Sequence, residues 1–267
     1  MSASLRIKPS RRVRLDDFDT DGREHAPGDK EKTLEALQKR VDRIGELQEL
    51  LFAGHEQRVL IVLQGMDTSG KDGTVRRVFG GTSPQGVRVV SFKKPTELEL
   101  DHDYLWRVHA QTPGHGELVV FNRSHYEDVL VVRVHSLVPK KVWSKRYDQI
   151  KAFESTLAAE GTTILKFFLH ISMDEQRERL QARLDDPTKH WKFQHGDLEQ
   201  RKLWADYARA YEDAITRTST REAPWHIIPA DRKWVRDWIV SGFIIEALEK
   251  LKMRYPVPEG LDDITVV

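Results

Sequence analysis

The chain contains no cysteine. That removes disulfide staples, cysteine-ligated zinc and thiol nucleophiles, and it fits a reducing compartment. No apolar run approaches the roughly 18 residues of a membrane span. Residues Met1 to Arg14 are basic but lack the apolar stretch of a secretory signal, so the cytosol is the expected location. There is no internal repeat. His102 and His109 straddle a predicted helix without a third partner, so the histidines show no metal-ligand spacing, and no Ser/His/Asp set is recognisable. Net charge is nearly absent too, since 43 Lys and Arg stand against 42 Asp and Glu, leaving +1.

That balance hides local unevenness. Basic pairs occur at Arg11-Arg12, Arg76-Arg77, Lys93-Lys94, Lys140-Lys141 and Arg201-Lys202. Any one pair suits a solvated face; several converging in space suit an anionic polymer. With 267 residues, 39% hydrophobic and 32% charged, the chain is globular and large enough for one well-filled α/β domain.

Residues 1–30 are polar, with Asp16, Asp17, Asp19 and Asp21 close together, and read as a flexible arm with little order of its own. Residues 31–255 read as the single domain and 256–267 as a tail. Leu34, Leu37, Val41, Ile44, Leu47 and Leu51 follow helical steps up to Gly54. Short runs rich in β-branched residues at 58–64, 87–92, 117–122, 162–170 and 225–229 read as strands. The first is apolar throughout, as in a parallel sheet buried on both faces. Helical patterns lie between them. Three capping boxes are expected: Thr96 with Glu99 opening a helix through about His109, Ser124 with Glu127, and Ser172 with Glu175. Strands alternating with helices predict a parallel sheet flanked by helices.

The chemistry concentrates where the first strand meets the next helix. Gly65-Met-Asp67-Thr-Ser69-Gly70-Lys71-Asp72 is a GxxxxGK phosphate loop. Its glycines let backbone N–H groups curl around an anion, the helix dipole points at the same spot, and Lys71 adds a charge for phosphate. Gly73 and Thr74 continue the phosphate-binding stretch. Two residues depart from the usual pattern. Asp72 stands where a Ser or Thr normally ligates Mg²⁺, and Asp67 inside the loop would repel phosphate unless a metal or a proton neutralised it. Asp67 therefore reads as a Mg²⁺ ligand, a group orienting the acceptor, or both.

The third strand ends at Asn122, where a metal-holding Asp is usual; Glu127 and Asp128 can supply the missing charge, and Arg123 sits where ligands of open α/β sheets bind. Arg177 to Arg201 is dense in charge, including Arg183, Lys189 and Lys192, and Pro187 and Gly196 break its helical order. By analogy with nucleotide kinases this excursion, about 177–205, is a lid that closes over phosphates.

These residues, together with Lys93-Lys94-Pro95-Thr96, His102 to Arg107, Phe121 to Asp128, Asp186 to Lys192, Thr218-Ser219, Ala223-Pro224-Trp225 and Ala230 to Lys233, resemble the polyphosphate kinase 2 family over about Leu34 to Leu251. The resemblance implies a thymidylate-kinase-like P-loop fold with a helical lid. It implies reversible phosphoryl transfer between inorganic polyphosphate and AMP or ADP with Mg²⁺ or Mn²⁺. It also implies a homo-oligomer, a dimer or a tetramer, with neither nucleic acid nor membrane as a partner. Carried onto this chain, Asp67 and Asp128 would hold metal, and Lys71 would steady the transferred group. Arg123 would bind phosphate and Arg183 would close on it, while Asn122, Arg123, Tyr126 and Glu127 would face the nucleotide. Tyr126-Glu127-Asp128 and Asn122 are similar to the subgroup that accepts both AMP and ADP. Arg76, Arg77, Lys93 and Lys94 are expected along the polyphosphate path. The rivals are an ATP-dependent nucleotide or nucleoside kinase of the same fold and a polyanion-binding module without catalysis.

Overall fold

The elements follow one another as strand, crossover helix, strand, and the computed structural model describes residues 3–259. The long helix α1 (Lys30–Gly54) leads into β1 (Arg58–Gly65) and α2 (Lys71–Val78). Then come β2 (Val87–Ser91), the short helices α3 (Glu97–Leu100) and α4 (Trp106–His109), β3 (Leu118–Asn122), α5 (Val131–Val134) and α6 (Lys140–Ala159). The second half runs β4 (Thr162–His170), α7 (Met173–Asp185), α8 (His195–Lys202), α9 (Trp204–Thr218), β5 (Trp225–Pro229) and α10 (Lys233–Lys250). The five strands form one sheet in the order β2-β3-β1-β4-β5, and every neighbouring pair is parallel.

β1 lies in the middle, and all of its residues after Arg58 are buried. This is why its sequence shows no polar alternation: both faces are covered. Successive residues of β4 show the two covers. Phe167 meets Phe243 of α10, while Phe168 meets Tyr211 of α9. α10 packs along α1 and α2 on one face; α9 packs with α5 and α6 on the other. β1 and β3 both end at the same edge, with Leu63 opposite Asn122, so the loops that follow them share one rim.

The expected flexible arm is corrected. At Arg6 and Ile7 the chain runs beside β5: Ile7 N donates to Trp225 O at 2.8 Å, Arg6 bridges His226, and Ile7 is wholly buried. Val13 N reaches Thr216 Oγ1 and Leu15 N reaches Glu212 Oε1, both on α9. Further on, Arg232 pairs with Asp21. Apolar residues spaced among the charges (Leu5, Ile7, Val13, Leu15) supply the burial that overall polarity concealed. The expected tail, 256–267, falls mostly on 260–267, outside the described residues.

The helix expected from Thr96 to His109 is also corrected. Thr96 and Glu99 do form a reciprocal box, but the helix stops at Leu100. Asp103 Oδ1 then accepts from Leu105 N at 2.9 Å, a local turn that competes with helix continuation before α4 begins. Ser124 caps Tyr126 N rather than Glu127 N, and a 3₁₀ turn over His125–Asp128 follows instead of a boxed helix. Ser172 caps Glu175 N, while the Glu175 carboxylate accepts from Arg179 instead of closing the box.

Candidate active site

The loop between β1 and α2 is shaped by close packing. A Cβ on Gly65 would lie 2.7 Å from Leu169 O, and Gly70 takes a φ of +99° with its Cα turned against the Arg236 guanidinium. Only glycine accepts both demands. Thr68 also lies in the left-handed region, at φ 61°. Two polar atoms in this loop are shut off from solvent with no hydrogen-bond partner: Asp67 Oδ2 and Thr68 Oγ1. Orphaned polar atoms are costly, so a pair of them in one loop marks a place where a ligand completes the bonding. Lys71, at the first position of α2, is buried. Its Nζ donates to Gly65 O at 2.9 Å and to Met66 O at 3.3 Å. Burial, helped by the Arg123 charge, brings its pKa down to about 8.

The facing lip is the end of β3. Asn122 Nδ2 donates to Asp72 Oδ1 at 2.5 Å, so the unusual residue at the end of β3 and the unusual residue after Lys71 hold each other. Arg123 adopts φ 66°, with its N–H bonded to Leu63 O, and its guanidinium lies 3.6 Å from Glu127. The Glu127 carboxylate keeps the Arg123 pKa above its ordinary value. Asp128 is buried beside Arg146, at 2.8 Å, and burial raises its pKa to about 6 against the pull of Arg146 and Arg107.

Between these lips and the excursion lies a cleft of about 1210 Å³. Arg183 enters from α7, donating to Lys192 O at 3.1 Å and Asp197 Oδ2 at 3.3 Å, with Asp67 Oδ2 3.9 Å away. The cleft wall carries Lys93, Lys94, Arg107, Lys189, Lys192 and Lys233, a cationic lining suited to a polyanion. Val131, Val132 and Leu137 add an apolar portion.

Of the residues expected at the site, Asp67, Gly70, Lys71, Asp72, Gly73, Lys93, Lys94, Asn122, Arg123, Glu127, Asp128, Arg183, Lys189 and Lys192 line this one cleft. Gly65 and Ser69 are buried behind it and shape the loop. Three expectations are corrected. Tyr126 is wholly buried, its hydroxyl bonded to Glu154, Thr218 and Lys166, so its side chain has no access to a nucleotide. Thr74 turns inward to Asp237. Arg76 and Arg77 are exposed on α2 but do not line the cleft: they share the exposed helix face of Asp72 and Gly73 and lie one turn further along it. Sequence reasoning missed Gln176, Arg179 and Arg236, which bond the carbonyls of Asp67, Thr68 and Ser69. A signal existed: Gln176, Arg179 and Arg183 follow helical steps of three and four, which puts all three on one face of α7.

A model of the family described as polyphosphate kinase 2 matches residues 27–256. The chain belongs to the polyphosphate kinase 2 family. It is 58% identical over 262 residues to an AMP/ADP-polyphosphate phosphotransferase of Meiothermus ruber, covering 98% of each chain. It is 48% identical over 239 residues to an ADP-polyphosphate phosphotransferase of Rhodopseudomonas palustris, covering 85% of this chain and 83% of that one. The crystal structure of polyphosphate kinase 2 from Arthrobacter aurescens TC1 superposes with a TM-score of 0.92 at 43% identity, covering 96% of this chain and 92% of that one. The P-loop kinase-like architecture of this family is the fold seen here.

The donor set suits the divalent cation that such kinases generally need. Asp67 Oδ2 lacks a hydrogen-bond partner, and Asp128 is a second carboxylate on the same cleft. Among the described residues no three His, Asp or Glu side chains gather into a metal cage. One or two carboxylates with phosphate oxygens and water completing the shell is the ordinary manner of Mg²⁺.

Proposed function

We propose that this chain transfers a phosphoryl group between inorganic polyphosphate and AMP or ADP, in the cytosol, with Mg²⁺ or Mn²⁺ and as a homo-oligomer. The observation that carries the reading is the phosphate loop itself. Its backbone and Lys71 face a cationic cleft, and a carboxylate with an orphaned oxygen lies inside the loop. A loop that only bound anions would gain nothing from Asp67; phosphoryl transfer needs that carboxylate for a cation and an acceptor. The relatives named for this activity cover nearly the whole chain, which supports the same choice.

In this reading Thr68, Gly70 and Lys71 N–H groups and the Lys71 ammonium hold the condensed phosphate. Lys71 leaves the carbonyls of Gly65 and Met66 to do so. Arg123 takes phosphate oxygens from the β3 lip, and Glu127 keeps its guanidinium oriented. Lys93 and Lys94 line the polyphosphate path. Asp67 and Asp128 would hold the cation, which when bound neutralises phosphate charge and aligns donor with acceptor. The apolar Val131, Val132 and Leu137 suit a nucleotide base. Within the excursion of about 177–205, residues 187–202 act as a lid, bringing Lys189 and Lys192 over the phosphates beside Arg183 of α7 and excluding water.

The test is a donor and acceptor matrix with purified protein and Mg²⁺. Polyphosphate with AMP should yield ADP, and with ADP should yield ATP. Transfer from ATP alone, with polyphosphate inert, would instead identify an ATP-dependent kinase. Binding without transfer to any acceptor would leave a polyanion-binding module.

A further inference from the structure

We infer that Gln176 is a positioning residue that ties the 187–202 excursion to the phosphate loop. The inference rests on the phosphotransferase reading above. Every carbonyl of the loop has a partner. Lys71 Nζ takes Gly65 O and Met66 O, Gln176 Nε2 takes Asp67 O at 3.1 Å, and Arg179 Nη1 takes Thr68 O at 2.9 Å. Arg236 Nη1 takes Ser69 O at 3.3 Å, and Thr74 N takes Gly70 O at 2.9 Å. Because a peptide unit is planar, holding one residue's carbonyl fixes the direction of the next residue's N–H. The bond from Gln176 therefore sets the Thr68 N–H. It also sets the peptide from which the Asp67 carboxylate hangs.

Gln176 differs from the other partners in what lies behind it. Its Oε1 accepts from Arg201 Nη1 at 3.0 Å, and Arg201, on α8, also donates to Met173 O at 2.7 Å. The amide has only one workable orientation here. Only its NH₂ can donate to a carbonyl, and only its oxygen can accept from a guanidinium. The result is a directed chain from α8 through a 3% exposed amide to the loop backbone. Arg183 runs in parallel, bonded to Asp197 of α8 and close to Asp67. When α8 is seated, Gln176 is held and the Asp67–Thr68 peptide is aimed. When α8 withdraws, that constraint goes with it, so the loop is set for transfer only with the excursion in place.

The test compares Gln176→Met, Arg201→Met, their combination, and Gln176→Glu in the full chain. The readouts are kcat, KM for polyphosphate and thermal unfolding. A coupled chain predicts that each Met variant lowers kcat about ten-fold with KM within about two-fold, since misaligned groups cost turnover. The double variant should lose about ten-fold as well, because one broken link already uncouples the loop. Gln176→Glu keeps an acceptor for Arg201 but has no donor for Asp67 O, so it should match Gln176→Met; wild-type kcat in Gln176→Glu would reduce Gln176 to an anchor for α8. Arg201→Met, at a half-buried position, carries the test even if Gln176→Met fails to fold. Unchanged kcat in Arg201→Met, or multiplicative losses in the double variant, would overturn the inference. A wild-type chain without phosphotransfer would overturn the phosphotransferase reading and this inference with it.

Discussion

Replacing Asn122 by Asp removes the amide donor that ties β3 to the phosphate loop and sets two carboxylates side by side at the 2.5 Å contact with Asp72. The lost bond, a donor to a charged acceptor, is worth about 1.5–3 kcal/mol. Repulsion between two unit charges about 3.5 Å apart adds about 1–5 kcal/mol between a water-like and a protein-surface dielectric. The pair then takes up a proton or a divalent cation, or moves apart and drags α2 with it. The assay is turnover with polyphosphate and ADP across a Mg²⁺ titration. Asn122→Asp should lose at least about ten-fold at low Mg²⁺, part of it recovered as Mg²⁺ rises. The double variant Asp72→Asn, Asn122→Asp restores one amide and one carboxylate with their places exchanged. It should return to within about three-fold of wild type. Wild-type turnover in Asn122→Asp, or a double variant worse than the single, would refute the claim that Asn122 at the end of β3 and Asp72 after the loop lysine are one compensating pair.

Gly70→Ala puts a Cβ against the Arg236 guanidinium at a φ of +99°, and should lower turnover by at least about ten-fold with a stability loss of about 1–3 kcal/mol by chemical denaturation. Lys166 and Glu154 form a 2.6 Å pair beneath the β3 lip, exposed 0% and 1%. Lys166→Met leaves the buried Glu154 carboxylate without its ammonium partner, with only the Tyr126 hydroxyl and His125 beside it, and should cost about 3–5 kcal/mol, whereas combining it with Glu154→Gln should recover part of that loss in the same denaturation experiment. His226 is buried on β5, and burial lowers its pKa from 6.5 to about 4. The unfolded chain therefore binds the extra proton first as pH falls. The stability is fully present above pH 6.5 and is lost progressively down to about pH 4, by up to about 3 kcal/mol. His226→Gln should flatten the unfolding free energy across that window, and an unchanged slope would contradict the assignment.

The strands were legible because the sheet is parallel and covered on both sides. Runs such as Val59 to Leu63 and Ile164 to Leu169 need no alternation to be recognised. The phosphate loop was legible for a similar reason, since strand, glycine-rich turn and helix are contiguous in the chain. What escaped notice was held by distant contacts. The segment around Ile7 and Val13 looks polar in isolation and becomes ordered only against β5 and α9. Tyr126 sits among site residues in the sequence, yet the strained backbone at Arg123 and the 3₁₀ turn after it swing its ring inward onto Glu154 and Lys166. Gln176 and Arg236 lie more than a hundred residues from the carbonyls they bond, so no local pattern names them.

The measurement nearest the centre of this account is Lys71→Ala, assayed for turnover with polyphosphate and ADP and, in parallel, for tripolyphosphate binding by calorimetry. The account predicts a loss of at least about 100-fold in turnover, about 2.7 kcal/mol of transition-state stabilisation, and weakened binding while the fold stays intact. Turnover retained at the wild-type rate would contradict it.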